Sequence, residues 1–181
     1  ELSRLQSEEV LADAELVNLS SVVAEAVDRN EQLASKRKVR LLSDDGEGPE
    51  VFGNKEMLTA AVKNLIENAI SYSEVGSQVG IGCTVKGPLA EIAVTDSGAG
   101  ISAENQERVF ERFYRVDPSR SRETGGTGLG LSIVKHVAKI HRGDVKLFSQ
   151  LGVGSTFTLR IPLATASDPV TGTIKVVPEA S

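Results

Sequence analysis

The sequence predicts an α+β fold: a two-layer sandwich with three helices on one face of a mixed, mostly antiparallel sheet. Three observations predict it. Apolar residues recur at helical spacing over about 19–34, 54–72 and 129–141. Alternating strands at 78–86 and 89–95, and at 144–149 and 155–161, are joined by short glycine turns, so each pair reads as an antiparallel hairpin. Helices and strands follow one another in an order that layers helices on a sheet. With 181 residues, 40% of them apolar, the chain suits one globular domain, and its single cysteine rules out an internal disulfide framework.

Residues 1–16 read as the tail of a helix with Leu2, Leu5 and Glu9 on one face. Asn18 is placed to cap the next helix, whose apolar series Val22, Val23, Ala26, Val27 and Leu33 is interrupted by Asn30. The run Lys36–Lys38 suits the carbonyl end of that helix. A short strand at 39–42 and a loop at 44–50 follow. Over 54–72, Leu58, Ala61, Val62, Leu65, Ile66 and Ala69 form one stripe, bordered by Asn64, Asn68 and Ser71. In the next strands Val79, Ile81, Cys83 and Val85, then Ile92 and Val94, face inward, with Gly87-Pro88 as the turn. Ser102 is placed to cap a helix over 103–111. Residues 115–127 carry no periodicity and read as a mobile loop. Leu131, Val134, Val137, Ala138 and His141 face inward from the third helix. Residues 164–181 read as a disordered tail. The expected division is therefore 1–16, the end of a preceding helix, 17–163, the domain, and 164–181, the tail.

Composition excludes several classes. The formal net charge is −5, which argues against a general nucleic-acid binder. No stretch approaches the length and apolarity of a membrane span. The chain opens on Glu1 and its single methionine is Met57, so it is expected to be a fragment of a longer parent. No Ser–His–Asp set or Cys/His metal cluster can be assembled, and His136 and His141 read as structural.

Four segments remain. In 64–72, Asn64 and Asn68 share a helix face, where carboxamide oxygens suit Mg²⁺; two polar residues flanking a core stripe would look the same. Asp96, ending an apolar strand before Gly98 and Gly100, is placed at a pocket rim, able to accept a hydrogen bond from an exocyclic amine for about 1.5–3 kcal/mol; an ordinary strand-to-helix turn fits too. The run 125–131 frees backbone N–H groups at a helix start, which favours phosphate, but lacks the lysine of a P-loop and the third glycine of GxGxxG. Gly152 and Gly154 mark a tight hairpin turn. Arg108, Arg112, Arg115, Arg120 and Arg122 concentrate positive charge around Phe110 and Phe113, as phosphate ligands or as a solvated basic loop.

In order and spacing, NLIENAISYS, DSGAGI, FERFYR, GGTGLGL and GVGSTF resemble the N, G1, F, G2 and G3 boxes of the catalytic ATP-binding domain of sensor histidine kinases, in the GHKL superfamily shared with gyrase, Hsp90 and MutL. The resemblance covers about residues 18–162. It implies ATP and Mg²⁺ as cofactors and a catalytic set of Asn64, Glu67, Asn68 and Arg115. Asn68 would coordinate the metal, with Asn64 supporting it or the phosphates. Tyr72 would pack on adenine and Asp96 bond its amino group, in a pocket shaped by Gly98, Gly100 and Ile101. Residues 111–127 would form a lid, with Phe113 in the F box and Arg115 on phosphate. Gly126, Thr127, Gly128 and Gly130 would wrap the phosphates, Leu129 and Leu131 anchor the lid, and Thr156 lie behind the adenine. An asparagine at 64, where ATPase members place a glutamate, favours a kinase. The implied partners are a dimerisation and phosphoacceptor hairpin, whose histidine neither His136 nor His141 supplies, and a response regulator. The fragment is expected to be a cytoplasmic monomer, without nucleic-acid or direct membrane contact, from a homodimeric, membrane-anchored parent. A GHKL ATPase, a serine kinase or a non-catalytic nucleotide sensor are the alternatives.

Overall fold

Helix α1 (Leu19–Arg37) starts where expected: the Asn18 side chain accepts the Ser20 N–H at 2.9 Å. It stops at Lys38, whose left-handed φ of 55° turns its N–H back onto the Ala34 and Ser35 carbonyls. The described residues of this computed structural model are 13–119, 126–166 and 168. The expected helical tail over 1–12, the loop residues 120–125 (Arg120, Arg122 and Gly125 among them) and the tail beyond 168 lie outside them.

Asn30, the break in the apolar series, is buried, and its side-chain amide bonds the Ala26 and Lys63 carbonyls at 2.9 and 3.2 Å. The polar exception thus ties α1 to helix α2 (Lys55–Tyr72), which is capped by Asn54 through the Met57 N–H. Helix α4 (Gly130–Ile140) completes the helical layer, after a short α3 (Ala103–Gln106) that leads to a 3₁₀ turn (Arg108–Phe110).

The five-stranded sheet runs β2 (Arg40–Ser43), β4 (Gln78–Lys86), β5 (Leu89–Asp96), β7 (Gly154–Pro162), β6 (Asp144–Gln150), with only β2–β4 parallel. Its inner residues, among them Ile92, Phe157 and Leu159, pack against Leu65, Ile66 and Ile70 of α2 and Val134 of α4. The mixed sheet under three helices is the architecture expected.

Four local expectations are corrected. Residues 13–16 are not helical: β1 (Glu15–Asn18) pairs antiparallel with β3 (Glu50–Gly53), because Val17 and Val51 must be buried and the chain must arrive extended at the Asn18 cap. Glu50, expected to end the 44–50 loop, is instead the first residue of β3, and 51–53 carried no assignment from the sequence. Val85 is exposed because β2 pairs with β4 only as far as Ile81 and leaves the far end of β4 as an open sheet edge, and Cys83 is half-buried. The 103–111 helix breaks in two, and the Ser102 hydroxyl accepts the Asn105 side-chain amide rather than a backbone N–H.

At the end of α4, buried His141 joins the two central helices. Its Nε2 accepts the Asn54 N–H at 3.0 Å, and its Nδ1, 2.8 Å from the Val137 carbonyl, carries the proton. Burial lowers its pKa below 6.5, against the Val137 bond. The unfolded chain therefore binds a proton first as pH falls, and stability is lost from about pH 6.5 down to the lowered folded value. Urea titrations across this window should show that loss. His141→Ala should be less stable at neutral pH by about 1–3 kcal/mol and show a shallower acid dependence.

Candidate active site

The C-terminal half of α2 has two faces. Leu65, Ile66, Ala69 and Ile70 are buried in the core. Asn64, Glu67, Asn68, Ser71 and Tyr72 line a cleft of about 200 Å³. Carboxamides one turn apart stand side by side because i and i+4 share a helix face. Glu67 is held by Lys63 at 3.1 Å.

The opposite wall comes from Tyr114, Arg115 and Val116, from Gly126, Thr127 and Gly128, and from the start of α4 at Gly130 and Leu131. A Cβ at Gly130 would lie 3.7 Å from that of Asn64, so the N-terminus of α4 abuts the asparagine pair. That first turn has no acidic residue and no side-chain cap on its leading residue, and the dipole favours an anion there. Arg115 makes no ion pair among the described residues, so its charge is available to the cleft.

A narrower recess of about 20 Å³ continues the cleft, sharing Asn68, Tyr72, Ile101 and Val116 and adding Asp96, Gly100, Ser155 and Phe157. Asp96 lies at its floor rather than at a rim, only 6% exposed. Burial raises its pKa, and hydrogen bonds from the Gly98 N–H and the Ser155 backbone oppose the rise. It has no cationic partner among the described residues.

The glycines around Asp96 serve protein contacts. A Cβ at Gly98 would stand 2.3 Å from the Tyr72 carbonyl oxygen, and one at Gly154, where φ is 140°, 2.1 Å from the Asp96 carbonyl oxygen. They let the end of α2 and the β6–β7 hairpin close on the end of β5. Here the room that glycine leaves is filled by backbone packed on backbone.

The cleft gathers Asn64, Glu67, Asn68, Tyr72, Ile101, Arg115, Gly126, Thr127, Gly128, Gly130 and Leu131, and the recess Asp96 and Gly100. Leu129 lies at the N-cap of α4 and lines neither. Two placements are corrected. Phe113 is 71% exposed, with φ of 63° and its N–H bonded to the Gly128 carbonyl, while Phe110 is the ring that packs, edge-on at 5.9 Å from Phe157. Thr156 points to the outer face of the sheet, where its hydroxyl meets that of Thr95 at 3.0 Å. Ser155 faces the recess instead. Strand alternation contains this answer: with Phe157 inward, Ser155 is inward and Thr156 outward. Arg108 lies 4.3 Å from the Tyr114 ring centroid and pairs with Glu111, outside the site. Tyr114, Val116 and Ser155 are site residues that the sequence reading did not single out.

A profile of the "Histidine kinase-, DNA gyrase B-, and HSP90-like ATPase" family matches residues 53–165. Over 162 residues the chain is 52% identical to the sensor-like histidine kinase SenX3 of Mycolicibacterium smegmatis, covering 90% of this chain and 42% of that one. It is 43% identical over 164 residues to the sensor histidine kinase RppB of Synechocystis, covering 90% and 36% respectively. The chain thus spans about two fifths of the length of these curated relatives. Among solved structures, the mycobacterial sensor histidine kinase MprB superposes with a TM-score of 0.70 at 29% identity, over 83% of this chain and 97% of that one. The matched span holds α2, the buried Asp96 and the start of α4, and the chain belongs to the histidine kinase-, DNA gyrase B- and HSP90-like ATPase family, as an ATP-binding domain of the sensor histidine kinase type.

Proposed function

We propose that the cleft binds ATP together with Mg²⁺ and that the domain transfers the γ-phosphoryl group to a histidine on a helical hairpin of its parent protein. The observation that carries this reading is the Asp96 carboxylate: buried, without a cationic partner among the described residues, and at the narrow end of a cleft whose wide end holds a carboxamide pair and a helix N-terminus. A carboxylate has about four acceptor positions, and the two backbone bonds leave capacity for the amino group of adenine.

The donor set also fits the metal. Among the described residues no three His, Cys, Asp or Glu side chains come together as a dedicated cage. Mg²⁺ needs none, since it takes one or two protein oxygens and completes its shell with phosphate and water. When bound, it neutralises charge on the transferring phosphates. In this reading Asn68 holds the metal and Asn64 supports it. The first-turn amides of α4 and the Gly126–Gly130 backbone orient the phosphates. Arg115 offsets charge that develops on the outermost one, and Tyr72 and Ile101 flank the base. Catalysis is then chiefly positioning. Glu67, held by Lys63, borders the metal end.

The phosphoaccepting histidine belongs to the hairpin, because His141 is buried in the helix clasp and His136 is exposed on α4 with no acidic residue beside it in sequence. A response regulator would receive the phosphoryl group next. The domain would be a cytoplasmic monomer within a homodimeric, membrane-anchored parent; no helix among the described residues is long and apolar enough to cross a membrane.

Supplying the hairpin in trans with Mg²⁺ and γ-labelled ATP should place acid-labile label on it. Asn68→Ala and Asp96→Ala should remove most of that label, and Asp96→Ala should weaken ATP binding roughly 10- to 100-fold. Phosphate released to solvent with an unlabelled hairpin would instead indicate an ATPase. Nucleotide affinity should also fall with pH as Asp96 approaches its raised pKa, because the ionised form is the better acceptor. Calorimetric titrations of Asp96→Asn should be flat over the same range, and a wild-type profile equally flat would remove Asp96 from the site.

A further inference from the structure

Ser149, in β6, lines neither the cleft nor the recess, yet three segments around the recess meet at its hydroxyl. That oxygen accepts the Ile101 N–H at 2.7 Å. It also lies 2.8 Å from the Ser155 hydroxyl and 3.1 Å from the Gly154 carbonyl. Its single proton goes to one of these, and the Ser155 hydroxyl can complete the set. Gln106 supplies the counterpart: its amide donates to the Ile101 carbonyl at 3.0 Å and the Ser149 carbonyl at 3.3 Å. The N–H and carbonyl of Ile101 are therefore both fixed, by two side chains outside the pocket.

The same pair connects two parts of the site. On one side, Ser155 sits beside Asp96 and its backbone bonds that carboxylate. On the other, Asn105, next to Gln106, accepts the Tyr114 hydroxyl at 2.5 Å, and Tyr114 precedes Arg115 in the cleft wall. The Gly152 N–H, bonded to the Ala99 carbonyl at 2.8 Å, fastens the hairpin to the turn before Ile101.

We propose that Ser149 and Gln106 are positioning residues for nucleotide recognition: without touching the ligand, they set the spacing between the Ile101 wall and the Asp96–Ser155 floor. This rests on the reading of the recess as the adenine site. The effect falls on the base: the link to Tyr114 runs through Asn105, whose bond neither substitution below removes, so the phosphate end, built on α2, α4 and Arg115, is unchanged.

Binding of Mg²⁺-ATP and of Mg²⁺-tripolyphosphate, which has no base, tests the proposal, together with hydrogen exchange at the Ile101 amide in the free protein. Ser149→Ala should bind ATP about tenfold more weakly and tripolyphosphate as wild type does, with faster exchange at Ile101. Ser149→Thr, which keeps the hydroxyl, should restore ATP binding. Unchanged ATP binding, or equal losses for both ligands, would overturn the proposal. Should Ser149→Ala fail to fold, Gln106→Leu decides by the same readouts. Failure of the adenine reading looks different: Asp96→Ala would then bind ATP as wild type does, while Ile101 exchange still responds to Ser149→Ala.

Discussion

Everything around the candidate site is arranged to keep one carboxylate ionisable inside the protein. Asp96 sits at the end of a strand whose other inward residues, Ala90, Ile92 and Val94, are core. Burying a charge there without an opposite charge is costly, and two backbone hydrogen bonds offset part of that cost. Those bonds exist only if the turn after β5 and the β6–β7 hairpin close tightly on the strand end. At Gly98 and Gly154 the neighbouring backbone stands where a Cβ would be. Residues nearly sixty positions apart thus converge on one oxygen pair, and the shape of the recess follows from how they do so.

The wide end of the cleft rests on different physics. It has no buried charge. It combines neutral carboxamides, a Glu67 carboxylate paired with Lys63, the amides of a helix start and one arginine in a wall shared with glycine-rich backbone. Such a surface suits a polyanion that arrives with its own metal, because it adds little negative charge to compete for that metal. In the function proposed above the two ends divide the labour: the recess reads shape and one amino group, and the outer cleft reads charge.

Much of this was legible in the residues. Asn18 acts as the cap expected of it because a short side-chain acceptor before an apolar period has few other uses, and Asn54, not singled out in the sequence, obeys the same rule. The α2 stripe and the sheet alternation gave the layers, and the border position of Asn64 and Asn68 gave the cleft. What was hidden depended on partners distant in sequence. β1 and β3 are four residues each, too short for a period to show, and each is defined by pairing with the other. Phe113 falls in the F box by resemblance, but a left-handed backbone turns it outward, leaving Phe110 to pack. The choice of Ser155 over Thr156 follows from strand parity once Phe157 is fixed as core. The role of Ser149 has no local signature, since its partners come from 101, 154 and 155.

The clasp made by His141 lies at the opposite end of the α2–α4 pair from the cleft. Asn54 meets His141 at one end, and Asn64 meets Gly130 toward the other, so the two helices run antiparallel, like the arms of tweezers joined at the hinge. A ligand that grips both arms near their tips holds the hinge shut as well. The two ends oppose each other through stability: a ligand at the tips favours the folded domain, and a proton on His141 favours the unfolded chain. Acid and ligand would therefore act on the same pair of helices from opposite ends, although none of the described residues belongs to both the clasp and the cleft.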